Sequence, residues 1–230
     1  PIRQQNYDWV VDLHGLIKSG LVSLFSGGNH RIGFNKANGK EFNHLFQHTT
    51  AEPQPEGLPR IIKYTQVVRT ITPGYDINRE KLTPTDPSFS GMGTEIKRLA
   101  KKAPVLVQTR TSNTRYGQRK EWGERNYRKL LEQVHNRTQT VPIALTWGPG
   151  ERETARRIAS TFDERVRPTP ETDLVELTYL IDQARLMISP DTATAHLADL
   201  LGTPLVALYG ASDYHINGPL LTDYRLITPR

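Results

Sequence analysis

Cysteine is absent from all 230 residues of the sequence. That absence excludes disulfides, zinc–thiolate centres and thiol nucleophiles as sources of stability or catalysis, and a reducing cytoplasmic compartment is the simpler expectation. Long apolar runs are also lacking: no stretch approaches the roughly 20 consecutive apolar residues that span a bilayer. No charged start followed by an apolar core and a cleavage site reads as a secretory signal either, so a soluble chain is expected. Internal repeats and low-complexity tracts do not compete with a globular reading. An initiator methionine is missing as well. The sequence starts at Pro1 and enters a strand almost at once, so an amino-terminal portion is expected to precede it.

What is present suits a folded, basic protein. Apolar residues make up 36% of the chain and recur as short runs such as Val105-Leu106-Val107 and Leu205-Val206-Ala207-Leu208 between charged, helix-patterned stretches. Thirty Lys and Arg against 24 Asp and Glu give a formal charge of +6, with a pI near 9.6. That balance favours anionic partners: nucleotides, phosphorylated sugars, an anionic membrane face or nucleic acid. The last has no other support. There is no RNA-recognition signature, no zinc-finger pattern and no basic face interleaved with aromatics, so no nucleic-acid partner is expected.

Along the chain, Tyr7 to Leu13 reads as a strand, Gly15 as a turn, and Leu16 to Leu24 as a helix. Residues 27–56 are polar and loop-like, with a short strand at 31–34, and 58–70 can form a helix. Residues 72–93 carry Pro73, Pro84, Pro87, Gly74, Gly91 and Gly93, a composition suited to a connection between domains. The expected division is therefore a domain over 1–90 and a second over 91–230. Beyond the connection, strands are expected at 104–108, 141–146, 185–189 and 204–208, and helices at 94–101, 123–136, 151–161, 172–183 and 192–201. Strands alternating with helices imply an α/β unit with a parallel sheet and right-handed crossovers, a Rossmann-like domain.

Ligands of such sheets bind beyond the carboxyl ends of the strands, and three loops there carry chemistry. The first runs from Gln108 through Thr109, Arg110 and Thr111 to Lys120. Its hydroxyls and fixed positive charge suit a diphosphate, although such a loop is also readable as solvated basic surface. The second, Trp147-Gly148-Pro149-Gly150-Glu151, opens a helix; Glu151 suits ribose hydroxyls or an ordinary place at a helix start. The third, Ser189-Pro190-Asp191-Thr192, leads into a helix whose amino terminus is a ready anion site, with Asp191 or Thr192 as its cap. Thr192 and His196, four apart, share one face of that helix. In the first domain Asp12 is the one strand-end carboxylate. It suits a general base or, more economically, a holder of the Gly15 turn, because a base must reach the acceptor's proton.

Taken together, these segments resemble glycosyltransferase family 9, the ADP-heptose:lipopolysaccharide heptosyltransferases. The most specific likeness is Ser189-Pro190-Asp191-Thr192-Ala193-Thr194-Ala195-His196-Leu197-Ala198, followed by Leu201-Gly202-Thr203-Pro204 and Ala207-Leu208-Tyr209-Gly210. Further likenesses are Tyr7-Asp8 to Asp12-Leu13-His14-Gly15-Leu16, Arg31-Ile32-Gly33-Phe34, Lys120-Glu121-Trp122 and Trp147-Gly148-Pro149-Gly150-Glu151, all in the family's order.

The resemblance implies a GT-B fold, two Rossmann-like domains facing a cleft. Residues 91–230 would grip the nucleotide sugar, and 1–90 would be part of the acceptor-side domain. It implies an inverting transferase that moves a heptose from ADP-heptose to the phosphorylated inner core of lipopolysaccharide, with no cofactor and no metal. The place of action would be cytoplasmic, at the anionic face of the inner membrane.

Carried across residue by residue, the likeness puts Asp191, Thr192 and Ala193 at the donor's diphosphate and sugar, with His196 behind them. Thr109 and Thr111 supply phosphate-binding hydroxyls, Lys120 neutralises the leaving phosphate, and Glu151 meets the ribose. Two departures stand out. Ala193 occupies a place where the family usually has glycine, and nothing matches the family's first strand, its glycine-containing loop and its aspartate base. Two other readings stand beside this one: a nucleotide-binding module without catalysis, which gains from the second departure, or a GT-B transferase using another nucleotide sugar.

Overall fold

The computed structural model describes residues 2–75, 92–111, 117 and 119–228. Most of the connection expected over 72–93 lies outside the described residues, as does part of the basic loop, 112–116 and 118. The chain divides into two compact units, Pro1–Glu80 and Lys81–Arg230.

In the first unit, Trp9–Val11 (β1), His30–Gly33 (β2) and Thr49–Thr50 (β3) form a parallel sheet in the order β1-β2-β3. Beyond β1 the chain reverses around Asp12, whose Oδ1 accepts the N–H groups of His14 at 2.9 Å and Gly15 at 3.1 Å. An aspartate bonded to the backbone two residues on is the usual way to close such a turn. Gly15 has φ +70°, and a Cβ there would lie 2.8 Å from the Phe34 ring, so both dihedral and space demand glycine. Helix α1 (Ile17–Phe25) follows, then β2, a 3₁₀ turn at Asn43–Phe46, β3 and α2 (Arg60–Arg69). Ile32, Phe34, Ala51 and Val67 form this unit's small core.

The second unit is a six-stranded sheet of Val105–Gln108 (β4), Ile143–Thr146 (β5), Val166–Pro168 (β6), Leu186–Pro190 (β7), Leu205–Leu208 (β8) and Tyr224–Ile227 (β9). All pairings are parallel, in the order β6-β5-β4-β7-β8-β9. Helices α3 (Thr94–Ala100), α4 (Glu124–Arg137), α5 (Arg152–Ala159), α6 (Leu174–Asp182), α7 (Ala193–Leu201) and α8 (Tyr214–Asn217) connect or flank the strands.

The strand pleat sends alternate side chains to opposite faces. Leu106, Ala144 and Met187 therefore join Leu99, Leu180, Ile181 and Ala198 on one face, while Val107, Ile143 and Ile188 join Tyr127, Leu131 and Ile158 on the other. Burial on both faces explains why the inner strands read as continuous apolar runs. Truncating Leu106, which is fully buried, to alanine would cost about 2–5 kcal/mol.

The inner strands fall within two residues of their expected places, whereas β3, β6 and β9 have no counterpart among the expected elements. Each of these three lies at a sheet edge and is short, at two to four residues, with at most one buried residue. β9 is held from elsewhere in the chain: the buried Asp199 carboxylate on α7 accepts the backbone N–H groups of Leu220, Leu221 and Thr222 at 2.7–2.9 Å, just before the strand begins. Among the described residues no helix is long and apolar enough to cross a membrane.

Candidate functional site

The chain leaves β4 towards β5 and later crosses to β7 on its other side, so the order reverses between β4 and β7. In parallel α/β sheets such a switch point opens a crevice at the carboxyl ends of the two strands. A cavity of about 360 Å³ lies there, with Gln108, Thr111, Lys120, Glu151, Asp191 and Ala193 in its wall.

Its charged centre is a pair drawn from two loops. Lys120 Nζ lies 2.5 Å from Asp191 Oδ2, with the side chains 15% and 6% exposed. His196, one turn into α7, places Nε2 3.4 Å from the other carboxylate oxygen. Burial by itself would push the Asp191 carboxyl up. Hydrogen bonds from His196 and Lys120, the adjoining Ser212 and the Lys120 charge overcome it and hold the group well below the usual carboxylate range. The aspartate is thus ionised at every physiological pH, and it holds the ammonium at the cavity wall against the entropy of a flexible four-carbon stem.

Helix α7 begins at Thr192, the N-cap residue, in extended backbone, and no side chain caps it. The Thr192 hydroxyl turns inward, 3.0 Å from Ser189 Oγ and 2.9 Å from Thr194 Oγ1. Asp191 is spent on Lys120 and His196. The helix start therefore lines the cavity wall at Thr192, Ala193 and Thr194 with no side-chain cap on its backbone N–H groups.

The neighbouring strand ends are tied together. Thr146 Oγ1 donates to Gln108 Oε1 at 2.6 Å, joining β5 to β4, and Trp147 Nε1 donates to the Thr169 carbonyl at 2.9 Å, joining β5 to the segment after β6. Glu151 is the N-cap residue of α5 but does not cap it; its Oε2 accepts the Gly148 N–H at 2.9 Å instead. Thr111 donates its hydroxyl to the Gly117 carbonyl at 2.5 Å, and both residues line the cavity.

Of the residues singled out in the sequence, Thr111, Lys120, Glu151, Asp191, Thr192 and Ala193 therefore share one cavity wall, and His196 reaches it through Asp191. Thr109 is buried at the same strand end but is not part of the wall. Asp12 lies in the first unit, where its Oδ2 accepts from Asn43 at 2.7 Å and from Gln47 at 3.3 Å. Gln108, Thr146, Leu177 and Thr194 join the wall without having been singled out. For Gln108 and Thr146 the signal was position, polar residues at the ends of otherwise apolar strands; Leu177 and Thr194 lie in helices and had no such signal. Lys120 also lines an adjoining cavity of about 250 Å³ with Trp122, Tyr209 and Gly210. Among the described residues no group of three or more His, Asp or Glu side chains is placed to hold a metal ion.

The family model of glycosyltransferase family 9 (heptosyltransferase) matches residues 1–228. Lipopolysaccharide heptosyltransferase 1 of Pseudomonas aeruginosa is 26% identical over 226 residues, covering 94% of this chain and 58% of that protein. The enzyme of the same name from Salmonella typhimurium is 37% identical over 95 residues, 41% of this chain and 29% of the relative. Among solved structures, Escherichia coli heptosyltransferase WaaC with ADP superposes with a TM-score of 0.76 at 21% identity, over 99% of this chain and 69% of that one. E. coli ADP-heptose lps heptosyltransferase II gives 0.68 at 22% identity, over 98% and 70%. The chain spans about three-fifths of the length of the curated relatives it matches along most of its own. Its α/β fold with parallel sheets is that of the GT-B heptosyltransferases, and the chain belongs to glycosyltransferase family 9, the heptosyltransferase family.

Proposed function

We propose that the protein is a heptosyltransferase that moves a heptose from ADP-heptose to the phosphorylated inner core of lipopolysaccharide, by direct displacement with inversion and without a metal ion. On this reading residues 91–230 form the nucleotide-sugar domain and 1–90 belong to the acceptor side. The observation that carries it is the switch-point cavity, where a paired lysine, an uncapped helix start and a helix-opening glutamate converge. Support comes also from E. coli heptosyltransferase WaaC, whose solved structures hold ADP and ADP-2-deoxy-2-fluoro heptose.

The diphosphate sits against the amino terminus of α7 and Lys120, and the ribose hydroxyls against Glu151. An acceptor hydroxyl attacks the anomeric carbon from the face opposite ADP while a carboxylate takes its proton. As the bond to the leaving oxygen breaks, negative charge grows on the phosphate, where the Lys120 ammonium and the helix amides already stand; they do the work a divalent cation does in other transferases. Both Asp12 oxygens are engaged by neighbouring donors, so we assign Asp12 to holding the Gly15 turn rather than to proton abstraction. The formal charge of +6 suits approach to an anionic membrane face that presents the acceptor.

The test is calorimetric titration of ADP, UDP and GDP into the protein. Selective binding of ADP, weakened by Lys120→Ala and by Asp191→Ala, supports the assignment. A folded protein that binds none of the three overturns it. Transfer from ADP-heptose that survives a metal chelator supports the metal-free mechanism, and loss restored by Mg²⁺ contradicts it.

A further inference from the structure

A further cavity, of about 460 Å³, is lined in part by the edge strand β6 and the residues that follow it. Five cationic side chains surround it, from three segments distant in sequence: Arg98 and Lys102 at the end of α3, Arg152 and Arg156 on the first turns of α5, and Arg167 on β6 itself. One carboxylate, Glu95, shares the lining. Arg156 has a loose, exposed partner in Glu153 at 3.8 Å, and Arg152 lies over the Trp147 ring, 5.4 Å from its centroid. Arg98, Lys102 and Arg167 form no ion pair with any described residue.

Bringing like charges around a concave surface costs free energy that a bound anion recovers, and guanidinium forks match phosphate oxygens two at a time. The edge is closed to an added strand, because Pro168 and Pro170 in the lining carry no N–H to donate. We propose that this groove is a second anion site, taking a group that bears phosphate monoester or diphosphate. It shares no lining residue with the switch-point cavity, so it does not rest on the nucleotide assignment. The two are nevertheless joined through one residue: Trp147 lines the switch-point cavity, lies under Arg152 and donates to Thr169, both of which line the groove. A phosphate held in the groove fixes Arg152 and so the Trp147 wall between the sites.

The experiment is a backbone-amide NMR titration of the protein with inorganic pyrophosphate, with ADP present to fill the switch-point cavity, beside co-sedimentation with vesicles of phosphatidic acid in phosphatidylcholine and of phosphatidylcholine alone. Saturable shifts at residues 95–102, 152–156 and 167–170 are expected. They should be weakened about tenfold or more in Arg98→Gln/Arg167→Gln, which removes two charged donors, and retained in Lys120→Ala. A response to pyrophosphate alone identifies a soluble phosphorylated ligand. Phosphatidic acid-dependent sedimentation lost in the same double variant identifies a lipid headgroup. A spectrum that shows a folded protein with no saturable shift in the groove, together with vesicle binding absent or unchanged by the double substitution, overturns the proposal.

Discussion

Asp12 and Asp191 are the same residue in the same kind of place. Each follows the end of a parallel strand, and each is almost inaccessible, at 5% and 8% exposure. Their partners differ. Asp12 is met by neutral donors: two backbone N–H groups of the Gly15 turn and the side-chain amides of Asn43 and Gln47, at and just after the 3₁₀ turn. Asp191 is met by an ammonium and an imidazole on the wall of a cavity. Burial alone therefore does not separate the two carboxylates. What separates the two is the charge of the partners: neutral amide donors at Asp12, a lysine ammonium at Asp191.

The largest expected effect breaks the comparison on the Asp12 side. Asp12→Ala leaves several buried donors without an acceptor and should lower the unfolding free energy by about 3 kcal/mol, read from urea denaturation, while ADP affinity stays within about twofold of wild type if the two carboxylates act independently. A stable variant with impaired nucleotide binding would reverse the assignment.

Lys120→Ala breaks the other side. It should weaken ADP about 30-fold, on the order of 2 kcal/mol for a charged donor, by calorimetry on protein shown to be folded. Unchanged affinity would place the diphosphate elsewhere.

A smaller effect concerns pH. The folded-state Asp191 carboxyl lies below its ordinary value, so its contribution to stability is fully present above the unfolded value of about 4 and is lost as pH falls from there towards the folded value. Asp191→Asn should flatten this acid limb relative to wild type in denaturation series taken between neutral and strongly acidic pH; parallel curves would show that the carboxylate gains nothing from Lys120 and His196. The smallest change is expected for His196→Gln, whose imidazole is 50% exposed and 3.4 Å from its partner. About 0.5 kcal/mol or less is expected for such a solvated pair, seen as a shift of less than about threefold in ADP affinity.

The same contrast decides what the sequence made legible. β4, β5, β7 and β8 are buried on both faces, so their apolar runs announced them, and the loops that follow them carried Lys120, Glu151, Asp191 and Thr192 in readable order. β6 and β9 are edge strands in which few side chains face the core, and β9 depends on Asp199 from another element, a dependence that no local pattern encodes. The ion pair of Lys120 with Asp191 joins residues 71 apart, and its closeness follows from the order of the strands rather than from either loop. The inward turn of the Thr192 hydroxyl was hidden for a related reason: a threonine before a helix reads as a cap, and only the packing of Ser189 and Thr194 beside it redirects the side chain.

The central claim is that the crevice between β4 and β7 is the nucleotide site, and a crystal structure of the protein with ADP tests it most directly. The account predicts diphosphate oxygens within about 3 Å of Lys120 Nζ and of the backbone N–H groups that open α7, with the ribose hydroxyls at Glu151. ADP bound with its diphosphate among Arg98, Arg152 and Arg167 instead, and an empty crevice at Asp191, would contradict it.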